Sequence, residues 1–156
     1  MNSNNKILDV SIHLMSVYAK VPVYSSEGAG GFDFFSIQDA EIYPGKPVIV
    51  STGIRVEVPS EHVMLLFSRS GHGFKNDTRL ANCVGVIDSD YRGEVKIKLT
   101  KDINEKEYSA KIPLLINRGD RIAQGIIVPY PRVNFNVVDD LSETERGHNG
   151  MGSTGR

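Results

Sequence analysis

The chain has 156 residues, with 18 lysines and arginines against 19 aspartates and glutamates and a net charge of −1. That is the length of one domain, large enough to bury roughly 70% of its unfolded surface, and it has no basic excess with which to hold nucleic acid across a broad face. The single cysteine, Cys83, excludes an intrachain disulfide and a cysteine-built zinc site; His13, His62, His72 and His148 never fall at ligand spacing.

No stretch keeps the apolar period of about 3.6 residues that marks a helix, and none approaches the ~20 apolar residues of a membrane span. The polar start, Met1 to Lys6, leads into no signal-type stretch, so a cytoplasmic location without membrane or nucleic-acid partners is expected. What recurs is short, β-branched and alternating. Strands are expected at 7–10, 14–18, 47–50, 53–58, 62–67, 84–87, 94–99, 108–116, 125–130 and 134–138, with one short helical turn around Ser70–Asn76. Turn signals at Pro22, Ser25 to Gly28, Pro44-Gly45, Pro59-Ser60, Arg118-Gly119-Asp120 and Pro129/Pro131 separate them. Many short strands at such spacing imply an antiparallel sandwich or jelly-roll barrel. Residues 102–107 form a charged loop. Residues 1–138 read as the β domain and 139–156 as a glycine-rich arm, with four of the 15 glycines in the last ten residues.

Four polar clusters interrupt the apolar strands, and the arm adds a fifth. Asp33 sits among aromatics in Gly28–Ser36, where it suits a turn closure. Phe67-Ser68-Arg69-Ser70-Gly71-His72-Gly73 places an arginine and hydroxyls where a helical turn begins; this suits a phosphate, or a plain cap by Ser68 or Ser70. Asn82–Glu94 reads as a hairpin, in which Asp88 ends an apolar strand and could take a proton from water, or could join Asp90 in satisfying turn amides. Asn117–Gly125 is a charged turn feeding an apolar strand that carries Gln124. In the arm, Arg146 to Arg156 combines glycines, hydroxyls and arginines, the makings of an anion clamp or of simple fraying.

Taken together and in this order, the clusters resemble the five motifs of the trimeric dUTP pyrophosphatases (dUTPases). The likeness runs from about Val21 to Arg156, and its most specific runs are Gly85-Val-Ile-Asp-Ser-Asp-Tyr-Arg-Gly93, Gly119-Asp-Arg-Ile-Ala-Gln124 and Gly152-Ser-Thr-Gly155. The resemblance implies an all-β, jelly-roll-like barrel with one short helix, assembled as a homotrimer with exchanged C-terminal arms. It implies hydrolysis of dUTP to dUMP and pyrophosphate, limiting uracil in DNA and supplying dUMP for dTMP synthesis.

Residue by residue, the resemblance makes Asp88 the carboxylate that activates the attacking water. Asn82 and the backbone around Val86 would read the uracil edge, and Tyr91 would pack under the deoxyribose and exclude a 2′-hydroxyl. Arg69, Ser70, Gly71 and Gln124 would bind the phosphates. Arg146, Met151, Gly152, Ser153 and Thr154 would close over the nucleotide from the arm. Asp33 would accept from a water of a Mg²⁺ carried by the triphosphate. Asp120 and Arg121 would hold the loop or interface rather than touch substrate. One subunit would supply the hairpin, another the phosphate cluster and the third the arm.

The chain departs from the family pattern at three places. Met151 stands where an aromatic usually covers the uracil, Ser68 where proline is common, and His72-Gly73 where Leu-Ala is common. Two rival functions are weaker. A dCTP deaminase of the same fold needs a glutamate five residues beyond the hairpin glycine, and Lys98 stands there. A non-catalytic regulatory protein would not need the retained Asp88, Arg69, Ser70, Gln124 and Arg146, and nothing in the sequence specifies a regulatory partner.

Overall fold

The computed structural model describes residues 7–103 and 112–150. Among these residues eleven strands and one helix follow one another as β1 Ser11–Leu14, β2 Val23–Tyr24, β3 Phe32–Phe35, β4 Ala40–Ile42, β5 Val48–Glu57, β6 His62–Phe67, α1 Ser70–Asn76, β7 Thr78–Leu80, β8 Gly85–Ile87, β9 Glu94–Lys101, β10 Leu114–Ile116 and β11 Arg121–Pro129. They form a four-stranded sheet, β1-β5-β9-β7, a five-stranded sheet, β2-β3-β11-β6-β8, and the small pair β10-β4. Every pairing between these strands is antiparallel. No helix among the described residues is long and apolar enough to cross a membrane.

The alternation in the strands decides which face meets the core. In β9, Val95, Ile97 and Leu99 are buried while Lys96 and Lys98 face out. Met64 and Leu66 of β6 and Val50, Ile54 and Val56 of β5 do the same, and they meet Phe34, Ile42, Ile116 and Ile122 in one core between the sheets. This is the jelly-roll-like, all-β architecture expected from two layers that each bury one face.

Several expected elements are placed differently. Residues 7–10 are not a strand; β1 begins at Ser11, and of the 14–18 segment only Leu14 belongs to it. Leu114–Ile116 is all that forms of the described part of 108–116; residues 104–111, which hold the rest of that segment and most of the charged loop, lie outside the described residues. Residues 134–138 alternate as a strand should but pair with nothing, since 130–150 carries neither strand nor helix. Four strands were not expected. β2, β4 and β7 span only two or three residues, too few for a period, and β3 has a buried carboxylate in its pattern.

The helix α1 covers the expected residues, but neither serine caps it. Its N-cap is Arg69, without a side-chain capping bond, and Ser68 Oγ instead accepts from the Leu80 N–H at 2.9 Å. None of its side chains is buried, so polar contacts at its ends have to orient it.

Candidate active site

Cross-strand register builds the first half of the site. Val23, Asp33, Gln124 and Phe67 stand opposite one another across β2, β3, β11 and β6. Beyond Phe67 the chain leaves the sheet through Ser68 and Arg69 into α1, so Asp33, Gln124 and the Arg69-Ser70-Gly71 loop share one end of the five-stranded sheet. A bulge in β11 between Arg121 and Ala123 keeps Ile122 and Ala123 both buried while Arg121 stays exposed.

Asp33 is the centre of this end. It is 6% exposed, and its carboxylate accepts from Ser25 Oγ at 2.7 Å, Arg69 Nε at 3.0 Å and Arg121 Nη1 at 3.2 Å. A buried charge persists only when paired and hydrogen-bonded, and here two guanidinium groups meet one carboxylate. The cluster therefore carries a local positive excess although the whole chain is nearly neutral. Arg69 keeps N–H groups to spare after bonding Asp33 and the Arg121 carbonyl (3.3 Å). Gln124 spends one amide hydrogen on the Ser68 carbonyl at 2.9 Å and keeps the other. Ser70 and Gly71 are exposed at the start of α1, where backbone N–H groups have no intrahelical acceptor. A Cβ added at Gly71 would meet nothing within 4 Å, so the glycine leaves space beside the loop that no part of the single chain uses.

The Asn82–Glu94 segment forms the second half, but not as the expected hairpin: β8 joins the five-stranded sheet and β9 the four-stranded one, so the two strands do not pair and the turn between them crosses from one sheet to the other. Gly85, Val86 and Ile87 pair with Leu66, Leu65 and Met64 of β6. Asn82 and Cys83 lie in the turn before β8, with Cys83 at φ 62°. Arg79 braces that turn. Its Nη1 donates to the Leu80 carbonyl at 3.3 Å and lies 3.9 Å from Cys83 Sγ, and its hydrogen bond to the Asp102 carboxylate holds the guanidinium above its usual pKa. After β8 the Tyr91 N–H donates to the Asp88 carbonyl (3.2 Å), and Arg92 ties the turn to the Ser89 carbonyl (2.7 Å) and to Glu57 (3.0 Å). The Tyr91 hydroxyl donates to the Glu94 carbonyl at 3.0 Å, and its ring lies so close over Gly93 that a Cβ there would collide with it. Gly93 thus sets where the Tyr91 ring sits. The Asp88 carboxylate is exposed and makes no hydrogen bond or ion pair among the described residues, so the turn uses its backbone and leaves the side chain free.

The two halves do not meet in one chain. Ile87 is level with Met64, so Asp88 emerges toward the His62 end of β6 while Arg69 follows the Phe67 end. At about 3.3 Å per residue, five to six residues of strand put them on the order of 15–20 Å apart. Arg146 is exposed in the tail with Nε bonded to the nearby Asn149 carbonyl at 3.0 Å, and Met151, Gly152, Ser153 and Thr154 lie outside the described residues. Asp120 accepts from the Asn117 N–H at 2.8 Å, a loop-holding contact, whereas Arg121 does more than hold a loop, because it is the second cation on Asp33. Sequence reasoning missed Ser25 and His72. His72 Nε2 lies 2.9 Å from the Arg121 carbonyl, and only its departure from the usual apolar residue marked it beforehand.

A family model for dUTPase matches residues 17–155. Among curated relatives, the deoxyuridine 5′-triphosphate nucleotidohydrolase of Nautilia profundicola is 37% identical over 149 residues, covering 96% of this chain and all of that protein. The enzyme of the same name from Corynebacterium diphtheriae is 40% identical over 154 residues, covering 99% and 97%. Among solved structures, a G164S mutant of the Staphylococcus bacteriophage 80alpha dUTPase with dUpNHpp superposes with a TM-score of 0.82 at 27% identity, over 95% of this chain and 99% of that one. With the Gly85–Gly93 run, the Arg-Ser-Gly loop and the Gln124 strand all present, this chain belongs to the dUTPase family of deoxyuridine-triphosphate hydrolases.

Proposed function

We propose that the protein hydrolyses dUTP to dUMP and pyrophosphate at sites shared between subunits of a homotrimer, with Asp88 as the base for the attacking water. The observation that carries this reading is the split site. The phosphate-facing donors and the free Asp88 carboxylate occupy opposite ends of one sheet, too far apart to serve one nucleotide from a single chain. Two or more copies bring one chain's β8–β9 segment to another's Arg69 loop.

The tail supports assembly. Val133, Phe135 and Val137 alternate as a strand's inner face yet are 67%, 88% and 100% exposed. The same molecule has an apolar groove of about 640 Å³ lined by residues including Val10, Ile12, Tyr24, Phe32, Met64 and Ile127. A segment with a bare apolar face and a groove that none of the described residues fills are complementary, so segment 133–137 of one copy seats on its neighbour. That exchange carries the arm, 139–156, toward a site it does not share with its own β8–β9 segment, where Arg146, Met151, Gly152, Ser153 and Thr154 close over the nucleotide.

In the reaction the β8 backbone around Val86 and the Asn82 side chain pair with the uracil edge, and Tyr91 closes the sugar pocket. Arg69, Ser70, Gly71 and Gln124 hold the phosphates in line. Asp88 takes a proton from a water whose oxygen bonds to the α-phosphorus; the bridging α–β oxygen bond breaks, and pyrophosphate leaves with the electron pair. Donors fixed before the reaction stabilise the charge that builds on the phosphoryl oxygens.

The residues fit a Mg²⁺ carried by the triphosphate rather than one caged by protein. No group of three acidic, histidine or cysteine residues among those described forms a cage. Three of the roughly four acceptor positions of Asp33 are taken by Ser25, Arg69 and Arg121, which leaves room to accept from a metal-bound water but not to ligate directly. Such an ion neutralises phosphate charge and fixes the triphosphate's conformation. Hydrolysis in ¹⁸O-labelled water tests the position of attack. The label is expected in dUMP, and label found in pyrophosphate contradicts attack at the α-phosphorus.

A further inference from the structure

Resting on that reading of the site, we propose that His72 is a positioning residue for the triphosphate, tethering the phosphate loop to the bulge of β11. The helix α1 begins at Ser70, is seven residues long and buries none of its side chains, so packing does little to set the direction of the Ser70 and Gly71 N–H groups. Its C-terminal end is held locally, by the Asp77 N–H on the His72 carbonyl and by Thr78 Oγ1 on the Asn76 carbonyl. Its N-terminal end is held from β11. There the Arg121 carbonyl accepts from two side chains of the loop, His72 Nε2 at 2.9 Å and Arg69 Nη1 at 3.3 Å. A carbonyl only accepts, so Nε2 carries a hydrogen whichever protonation state the ring has. Half-buried His72 is the residue within α1 whose side chain reaches β11 among the described hydrogen bonds.

This arrangement has a consequence for Arg69. Its Nε is committed to Asp33 at 3.0 Å. The carbonyl is better served by His72 than by Nη1, so the outer edge of the guanidinium is left for an anion. An apolar residue at position 72 would lose the tether and hand the carbonyl back to Arg69. The loop would then reorient, and its strongest donor would be spent on the protein itself. On that reading uracil and sugar are held by the β8–β9 segment of another subunit, which His72 does not touch, so the effect is confined to the phosphates.

The test measures dUpNHpp affinity by calorimetry and 2′-deoxyuridine affinity by NMR titration, for the wild type, His72→Leu and His72→Gln. Loss of one orienting hydrogen bond predicts that His72→Leu weakens dUpNHpp about tenfold and leaves 2′-deoxyuridine unchanged. Glutamine can place an amide N–H near the Nε2 position, so His72→Gln recovers affinity to within about threefold of wild type. The inference is overturned if His72→Leu binds dUpNHpp as tightly as wild type, if it loses both ligands equally, or if His72→Gln is as weak as His72→Leu. Wild-type protein that binds neither ligand overturns the functional reading itself, and the inference falls with it.

Discussion

Replacing Asp88 with Asn lowers the turnover of dUTP by about 10²–10⁴-fold, the range a positioned general base contributes, while the affinity for dUpNHpp stays within about tenfold. The expectation follows from how little else Asp88 does. Its carboxylate supports no turn amide and pairs with no cation among the described residues, and the β8–β9 turn is held by backbone atoms of Asp88, Ser89 and Glu94 together with Arg92 and Tyr91. Asparagine is isosteric and leaves those contacts in place, so folding is unaffected. Single-turnover kinetics beside a binding titration separate the two effects. Turnover that persists in Asp88→Asn means that another group accepts the proton.

Arg69→Ala acts differently, because this side chain has two tasks. In the proposed reaction it supplies charge to the phosphates, and in the structure it neutralises Asp33, which is 6% exposed. The loss of transition-state donors costs about 10²–10³-fold in kcat/KM. Asp33 keeps Arg121 and Ser25, so the protein folds, with a lower melting temperature. Arg69→Lys recovers part of the charge but not the pair of contacts to Asp33 and the Arg121 carbonyl, which need a planar fork. The same variant tests the shared site. If Asp88 and Arg69 of one site come from different subunits, trimers reassembled from equal parts Asp88→Asn and Arg69→Ala regain about a quarter of the wild-type rate, the share of sites that draw both intact residues. Mixtures that stay inactive place both residues of each site on one chain.

Legibility in the sequence followed the range of the forces. Segments whose pattern is local and long enough were readable: β6 at 62–67, the β9 alternation from Val95 to Leu99, and α1 between the Arg69-Ser70 start and Asn76. Strand β3 was not, because Asp33 between Phe32 and Phe34 reads as a turn until two arginines from elsewhere are known to cover it. That ion cluster joins Ser25, Asp33, Arg69 and Arg121, residues up to 96 positions apart, and only the register of β3 with β11 brings them together. Motif order marked Asn82–Glu94 and the Arg69-Ser70-Gly71 loop as separate runs, but the first is not the hairpin its pattern suggests, because β8 pairs with β6 and β9 with β5 and β7, and only the β8–β6 pairing shows that Asp88 and Arg69 sit at opposite ends of a sheet. The segment 134–138 has a strand's alternation and no partner within the chain, because pattern reports an apolar face and not whose surface will cover it.

The most direct test of the account is pyrophosphate release from dUTP, dCTP, dTTP and UTP, each with Mg²⁺ present. Uracil read by fixed backbone groups, a 5-position crowded by the same backbone and a sugar pocket closed by Tyr91 predict turnover of dUTP alone, with dCTP slower by about 10⁴-fold or more. Comparable release from dCTP or UTP, or ammonia release from dCTP, would contradict a uracil-reading β8 segment with Asp88 at its end.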